Sequence, residues 1–206
     1  MPEPHMTAVL DPTTSPAVDS GWIRAVLFDH AIDDWVDLGP DPIRRRHAGQ
    51  IYADHIGAAY AAWKWRCDRA GTDVEVAPAG EPASGALALE SAVTDWTELM
   101  AALLTVGRAQ ALLFAELAVA GDDAAPSDAA ARRAFHRVGR DFAGHAALAF
   151  LELRRGTFTD RDSAGAAVAR MVPATRALLA RTGVDGRWAS RLEPLFAALG
   201  WDLTNL

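Results

Sequence analysis

The chain has 206 residues, of which 50% are hydrophobic, and this is enough to bury the core of one domain. Its 27 acidic residues outnumber its 20 lysines and arginines, and the formal net charge of -7 argues against nucleic acid or an anionic membrane as the principal partner. A small molecule or another protein is the expected partner. The single cysteine, Cys67, excludes an internal disulfide, and no apolar run is expected to span a bilayer, so the predicted location is cytoplasmic.

The chain begins with a segment that differs from the rest. Residues 1–20 are rich in proline, threonine and serine without helical periodicity, and they are predicted to form a flexible tail. Residues 21–206 then follow a helical pattern and are predicted to form a single domain. The predicted helices cover about residues 21–38, 43–70, 87–120, 127–156, 162–179 and 188–199.

The predicted helices are separated by short segments with strong breakers, apart from residues 72–85, which are rich in glycine, proline and serine and predict a loop between two halves of a bundle. No stretch shows sustained alternation of apolar and polar residues, and β-branched residues are sparse relative to alanine and leucine. The predicted fold class is therefore all-α, an antiparallel bundle of long helices.

The order of these helices resembles that of the ferritin-like hydroxylase subunits of the phenylacetyl-coenzyme A oxygenase family. The matching residues are collinear and cover about residues 43–180. They are Ile43-Arg44-Arg45-Arg46 leading into Gln50 to Gly71, Asp95-Trp96-Thr97-Glu98, and His136-Arg137 through Arg140-Asp141 to His145, followed by Gly156-Thr157. The resemblance implies a ferritin-like antiparallel helical bundle with additional C-terminal helices.

The sequence departs from that family at the metal ligands. Active members place a Glu-x-x-His pair on each of two helices, because residues three apart on a helix face the same way. This chain has no Glu-x-x-His: Phe142 stands three residues before His145, and the nearest carboxylate is Asp141. On the second helix Asp54 and His55 are adjacent and point about 100° apart. The di-iron site is thus expected to be absent or rebuilt from unusual ligands.

The fourth predicted helix carries the sharpest cluster, because Arg137, Asp141 and His145 follow one another at four-residue steps. Asp141 at this spacing could hold the tautomer of His145 and make it a general base or a lone metal ligand. The alternative is a surface ion pair of Arg137 with Asp141 beside a half-buried His145. Since His145 lies about 60° from Phe142 on the core side, a functional or buried-network role is favoured.

His55 aligns with an apolar stripe of the second helix, which is more typical of a core histidine than of a metal ligand. It lies, however, on one of the two helices that carry ligands in the family's active members, and His145 lies on the other. We therefore expect His55 and His145 to approach each other. With Asp141 they are the candidate catalytic residues.

An atypical metal site, if the chain has one, would draw on a wider set of candidate ligands. These are His30, Asp54, His55, Glu116 and His145. His30 stands in an aspartate-rich run that weakly resembles a magnesium-diphosphate motif but is more typical of a solvated acidic face. Glu116 could enter the interior, although a role without metal is favoured. No cofactor is expected, and iron or manganese is the alternative.

Two functions fit this sequence. The leading hypothesis is an oxygenase-family protein with a lost or reduced di-iron site, which acts as a scaffold or partner subunit beside a homologous helical subunit or a second copy of itself. The alternative is a small-molecule tailoring enzyme that uses His145 with Asp141, and His55 beside them, in the bundle cavity. A helical protein that binds a small-molecule ligand without catalysis is the third possibility.

Overall fold

A computed structural model describes residues 32–70, 93–119, 126–156, 161–179 and 185–202. These residues form six helices and contain no strand, which confirms the all-α class for this part of the chain. The helices are α1 (Ile32–Leu38), α2 (Pro42–Ala70), α3 (Trp96–Val119), α4 (Pro126–Gly156), α5 (Arg161–Leu179) and α6 (Asp185–Leu199). The predicted tail and the predicted loop at 72–85 lie outside the described residues.

The first turns of α2 and α3 show why these helices begin where they do. Asp41 precedes Pro42, and its Oδ1 accepts hydrogen bonds of 2.9 Å from the backbone N–H groups of Ile43 and Arg44. Asp95 caps α3 in the same way, with a 2.8 Å bond from the N–H of Glu98. The prediction that the third helix starts near residue 87 was therefore wrong, because residues 93–95 are not helical and the cap sets the start at residue 96.

Helix α4 runs antiparallel to both α2 and α3. Along α2, the contacts Arg44 with Glu152, His55 with His145 and Trp65 with Phe135 pair rising positions on α2 with falling positions on α4. The same reversal appears on α3, where Gly107 faces Phe142 and Ala146 while Gly139 faces Ala111 and Ala115. Helices α2 and α3 therefore run parallel to each other, and α4 packs against both of them.

Two glycines allow α3 and α4 to approach closely. A Cβ atom built on Gly107 would lie 3.6 Å from the carbonyl oxygen of Phe142, and one built on Gly139 would lie only 3.2 Å from the carbonyl oxygen of Ala111. The second distance is shorter than ordinary van der Waals contact. Glycine at position 139 thus favours the close spacing of the two helices, because a side chain there would press on the backbone of α3.

A buried carboxylate ties three helices together at one end of the bundle. Glu152 of α4 accepts a 2.6 Å hydrogen bond from Nε of Arg44, a 2.8 Å bond from Arg155 and a 3.4 Å bond from the indole of Trp96. Burial raises the pKa of Glu152, but these donors outweigh it and hold the pKa below its ordinary value. The N-terminal ends of α2 and α3 are thereby fixed to the C-terminal end of α4.

Helix α3 is the central element, and 67% of its most apolar stretch of 18 residues is buried. Its length and composition would suffice to cross a membrane, so the expectation that no apolar run reaches that length does not hold. The apolar character has a clear physical use here, because α4, α5, α6 and α1 all pack on this helix. A helix that is covered by neighbouring helices on most sides carries apolar residues on most of its faces.

The C-terminal helix α6 is docked on α3 by a buried hydrogen bond. The indole N–H of Trp188, which is fully buried, donates to the carbonyl oxygen of Thr105 at 2.8 Å. Gly200 then ends α6 with a positive φ of 74°, and the N–H of Trp201 returns to the carbonyl oxygen of Phe196 at 2.8 Å. This ending places the Trp201 ring against Gly165 of α5.

We expect Gly139→Ala to lower the free energy of unfolding, because the added methyl group must push α3 away from α4. The matched change is Gly144→Ala on the same helix, where nothing lies within 4 Å of the added Cβ. That control is expected to stabilise the protein by about 0.5–1 kcal/mol through helix propensity alone. Denaturant unfolding of both variants measures the difference, and equal stabilisation by the two substitutions would contradict the close contact.

Candidate functional site

Two histidines from different helices lie face to face in the interior. The rings of His55 on α2 and His145 on α4 have centroids 5.8 Å apart and planes inclined by only 11°. His55 is 1% exposed and His145 is 8% exposed. The expectation that the two imidazoles approach each other is confirmed, and they form the candidate site.

The proton of neutral His55 is placed by its backbone. Its Nδ1 lies 2.8 Å from the carbonyl oxygen of Ile51, one turn earlier in α2. Because a carbonyl oxygen can only accept, Nδ1 is the donor and Nε2 keeps a lone pair. This Nε2 atom is buried and makes no hydrogen bond of ordinary geometry with the described residues. The buried Gln110 of α3 is a polar neighbour of His55, and the Gln110 side chain acts to raise the pKa of this imidazole.

His145 has the opposite tautomer. Its Nε2 lies 3.0 Å from Oδ2 of Asp54, so Nε2 donates to the carboxylate and the lone pair is on Nδ1. The other oxygen of Asp54 accepts a 2.8 Å bond from the amide of Gln50, one turn earlier on the exposed side of α2. Nδ1 of His145 is buried without a hydrogen-bond partner among the described residues. Asp54 therefore links a buried imidazole to the surface.

Both histidines are held in the neutral form at neutral pH. Burial, opposed by the hydrogen bond to Ile51 and assisted by the nearby His145, lowers the pKa of His55 to about 4. Burial also lowers the pKa of His145, although the hydrogen bond that this ring donates to Asp54, and the charges of Asp54 and Asp141, oppose the shift. The site therefore presents two uncharged imidazoles, each with one buried ring nitrogen whose lone pair faces the interior.

Aromatic rings fill the space around the pair. The ring of Phe142 lies 4.7 Å from that of His55 and 5.8 Å from that of His145, measured between centroids. Trp35 of α1 meets His55 edge-on at 6.2 Å with an angle of 84°. These contacts exclude water from the imidazoles and explain why burial dominates both pKa shifts.

The structure corrects the role expected for Asp141. The sequence suggested that this residue, four positions before His145 on the same helix, holds the imidazole. Asp54 on α2 accepts the hydrogen bond instead, and Asp141 acts on the pKa of His145 only through its charge. A spacing of four residues places two side chains on one face, but it does not decide which neighbour from another helix lies closer.

Glu116, another candidate metal ligand, is not part of this pair, because it forms an ion pair with Arg187 of α6. His30 lies outside the described residues. Within the described ranges, no three histidines, cysteines, aspartates or glutamates lie close enough together to hold one ion.

Sequence reasoning missed the two amides of the site. Gln110 interrupts the apolar run of α3 on the stripe that also carries Val106 and Leu113, and a polar residue at such a position signals a buried partner. Gln50 stands four residues before Asp54, the spacing at which an amide and a carboxylate meet on a helix. Both signals were present in the sequence.

The arrangement can accept protons, and both imidazoles are almost fully buried. Two neutral imidazole nitrogens with free lone pairs are potential general bases or ligands. The cavities of 340, 370 and 430 Å³ on the described part of the chain are lined by other residues. In its present geometry, the pair contributes a buried polar contact between α2, α3 and α4.

Comparisons of the chain with models of protein families, with curated proteins and with solved structures find no match.

Acid should destabilise the protein through His55. The unfolded chain, with an ordinary histidine pKa of 6.5, takes up a proton before the folded chain, whose His55 has a pKa of about 4. The stabilising contribution is therefore complete above pH 6.5 and is lost as the pH falls towards 4, by about 3 kcal/mol in total.

Unfolding free energies measured across this pH range should fall more steeply for the wild type than for His55→Gln, which removes the titrating group. His136→Gln, which alters an exposed histidine of α4, serves as the control and should keep the wild-type slope. A His55→Gln slope equal to that of the wild type would disprove the burial of a neutral imidazole.

The effect of the hydrogen bond between His145 and Asp54 on the pKa of His145 can be measured separately from the effect of the Asp141 charge. Asp54→Asn should lower the pKa of His145 further, because it removes both the charge and the strong acceptor that favour the imidazolium. Asp141→Asn should lower it less, since only a longer-range attraction is lost. NMR titration of the His145 ring compares the two, and a larger effect of Asp141→Asn would restore the assignment made from the sequence.

Proposed function

We propose that this chain is a ferritin-like oxygenase-family protein with a lost di-iron site, which serves as a scaffold or partner subunit through its helical surface. The observation that carries the proposal is the position of Phe142. In the family it resembles, a glutamate three residues before the histidine would reach the metal pair. Here the Phe142 ring contacts His55 and His145, so an apolar side chain fills the space beside both imidazoles.

The hydrogen bonds of the two histidines support the same proposal. One nitrogen of each ring is used inside the protein, by Ile51 in the case of His55 and by Asp54 in the case of His145. Asp54 is itself bonded to Gln50 and His145, so this carboxylate is occupied as well. The residues that could have been ligands form a polar network that joins helices, which is a structural use of a buried polar group.

The directions of the helices support the ferritin-like part of the proposal. Helices α2 and α3, between which residues 71–92 lie outside the described part of the chain, run parallel, and both are antiparallel to α4. Parallel helices of this kind occur in bundles with a long crossover connection, to which ferritin-like folds belong. Helices α5 and α6 supply the additional C-terminal helices.

The partner surface is the outer face of α2. Gly49, Ala53, Ile56 and Tyr60 follow at steps of four, three and four residues, which is the spacing of a helix-packing seam. Ile56 is 48% exposed and Tyr60 is 60% exposed, and a Cβ built on Gly49 has open space around it. An apolar seam with small residues at one end suits another helix, from a homologous subunit or from a second copy of this chain.

A tailoring enzyme that uses the histidines as acid and base is supported by the free lone pairs on Nε2 of His55 and Nδ1 of His145. Such an enzyme needs a substrate within hydrogen-bond distance of these atoms. Because His55 is 1% exposed, the helices would first have to separate around it. The scaffold function requires no such movement, and we prefer it for that reason.

Association of the purified chain tests the proposal. We expect sedimentation velocity over a wide concentration range to show dimers, or a stable complex with a homologous helical subunit, and metal analysis of the same sample to find no stoichiometric iron or manganese. Ile56→Glu should weaken the association about tenfold or more, because it places a charge in an apolar seam.

Ala166→Glu provides the matched control, since it adds the same charge to an exposed position of α5. This variant should associate like the wild type. A chain that stays monomeric and alone at high concentration would overturn the scaffold function, and stoichiometric iron would overturn the loss of the metal site.

A further inference from the structure

A second feature lies where α3, α4 and α6 meet. A cavity of 430 Å³ is formed there, within the size range of small-molecule sites. Its floor is apolar and consists largely of small side chains, namely Ala111, Leu112, Ala115, Ala118, Val119 and Ala143. We call this cavity with its cationic rim the arginine groove.

The rim of the arginine groove carries Arg108 of α3, Arg140 of α4 and Arg191 of α6, together with His136. No carboxylate lines the cavity, and none of the described residues forms an ion pair with any of the three arginines. Among the described residues, these arginines form a group of positive charge in a chain whose net charge is -7. Such a field attracts anions.

Arg108 is the most informative of the three. Its side chain is half-buried, and its Nε atom is buried without a hydrogen-bond partner among the described residues. Burial lowers the pKa of Arg108, and the charge of Arg191 lowers it further. A guanidinium that has given up part of its hydration without gaining a partner is stabilised by any anion that reaches it.

A second cavity extends the groove along α4. It measures 370 Å³, shares Ala118, His136 and Arg140 with the first, and adds three more arginines at Arg132, Arg133 and Arg137. The combined surface is apolar at one end and cationic along one side. This polarity matches a ligand that has an apolar body and an anionic head.

We propose that the arginine groove binds an amphiphilic anion, a molecule with an apolar body and a carboxylate or phosphate head, whose head is held by Arg108, Arg140 and Arg191. The apolar body lies on the alanine-rich floor between α3 and α4. Planar guanidinium groups from three helices offer several N–H donors to the oxygens of one head group. The site is independent of the histidine pair and of the proposed scaffold function.

Isothermal titration calorimetry of the full chain tests the proposal with four probes. Decanoate and decyl phosphate carry the apolar body and the two head groups, decanol lacks the charge, and inorganic phosphate lacks the apolar body. We expect decanoate or decyl phosphate to bind with one site per chain. The probe that binds more tightly identifies whether the preferred head group is a carboxylate or a phosphate. Decanol and inorganic phosphate should bind at least about tenfold more weakly. Added salt should weaken binding of the charged probes.

Three variants locate the site. Arg108→Gln should weaken binding of the charged amphiphile about tenfold or more, because a charged hydrogen bond is lost. Ala115→Phe alters an exposed position of the floor and should block the apolar body, so that decanoate binding is lost while the fold is kept. Arg46→Gln removes an exposed arginine of α2 outside both cavities and should leave binding unchanged.

Several outcomes would overturn the proposal. Failure of both charged amphiphiles to bind, or equal binding of decanol and decanoate, would exclude recognition of an anionic head. Equal binding of inorganic phosphate and decyl phosphate would exclude a role for the apolar floor. Unchanged affinity in Arg108→Gln, with circular dichroism showing an intact fold, would place the ligand elsewhere.

Discussion

The close antiparallel contact between α3 and α4 is the constraint on which the other features depend. At Gly107 and Gly139 one helix lies close to the backbone of the other, and α3 and α4 pack against each other more extensively than any other pair of the described helices. On one side of this contact, α4 carries His145 and Phe142 towards α2, while Gln110 of α3 reaches the same place. On the other side, the small residues of both helices form the floor of the arginine groove. One packing contact therefore produces both the buried polar pair and the surface cavity.

The two features handle charge in opposite ways. In the interior, each imidazole gives one N–H to an acceptor and stays neutral, so that no net charge is buried and the aromatic rings pack around an uncharged pair. At the surface, Arg108, Arg140 and Arg191 keep their charge, and no described carboxylate lines the cavity that they share. Neutralisation by proton loss is open to histidine but not to arginine, whose charge must be balanced by water or by another molecule.

The sequence predicted the helices well because apolar periodicity and caps are local properties. It also predicted the approach of His55 and His145, through the resemblance and through their positions on apolar stripes. It assigned the wrong carboxylate to His145, because Asp54 comes from another helix and only the packing of α2 on α4 decides which group is nearer. The cap at Asp95 was visible in the sequence, but the helical periodicity that precedes it extended the predicted α3 too far. The arginine groove needs three helices and could not be read from any one segment.

The parallel arrangement of α2 and α3 has a consequence for how the chain reaches this structure. Asp54 and His145, which meet across α2 and α4, are 91 positions apart, whereas α3 and α4 are neighbours in the chain. Closing the longer loop costs more chain entropy, and contacts of high sequence separation are slow to form. The α3–α4 hairpin can therefore assemble from nearby residues before α2 docks. The hydrogen bond between Asp54 and His145 then exists only in molecules that have completed this last closure.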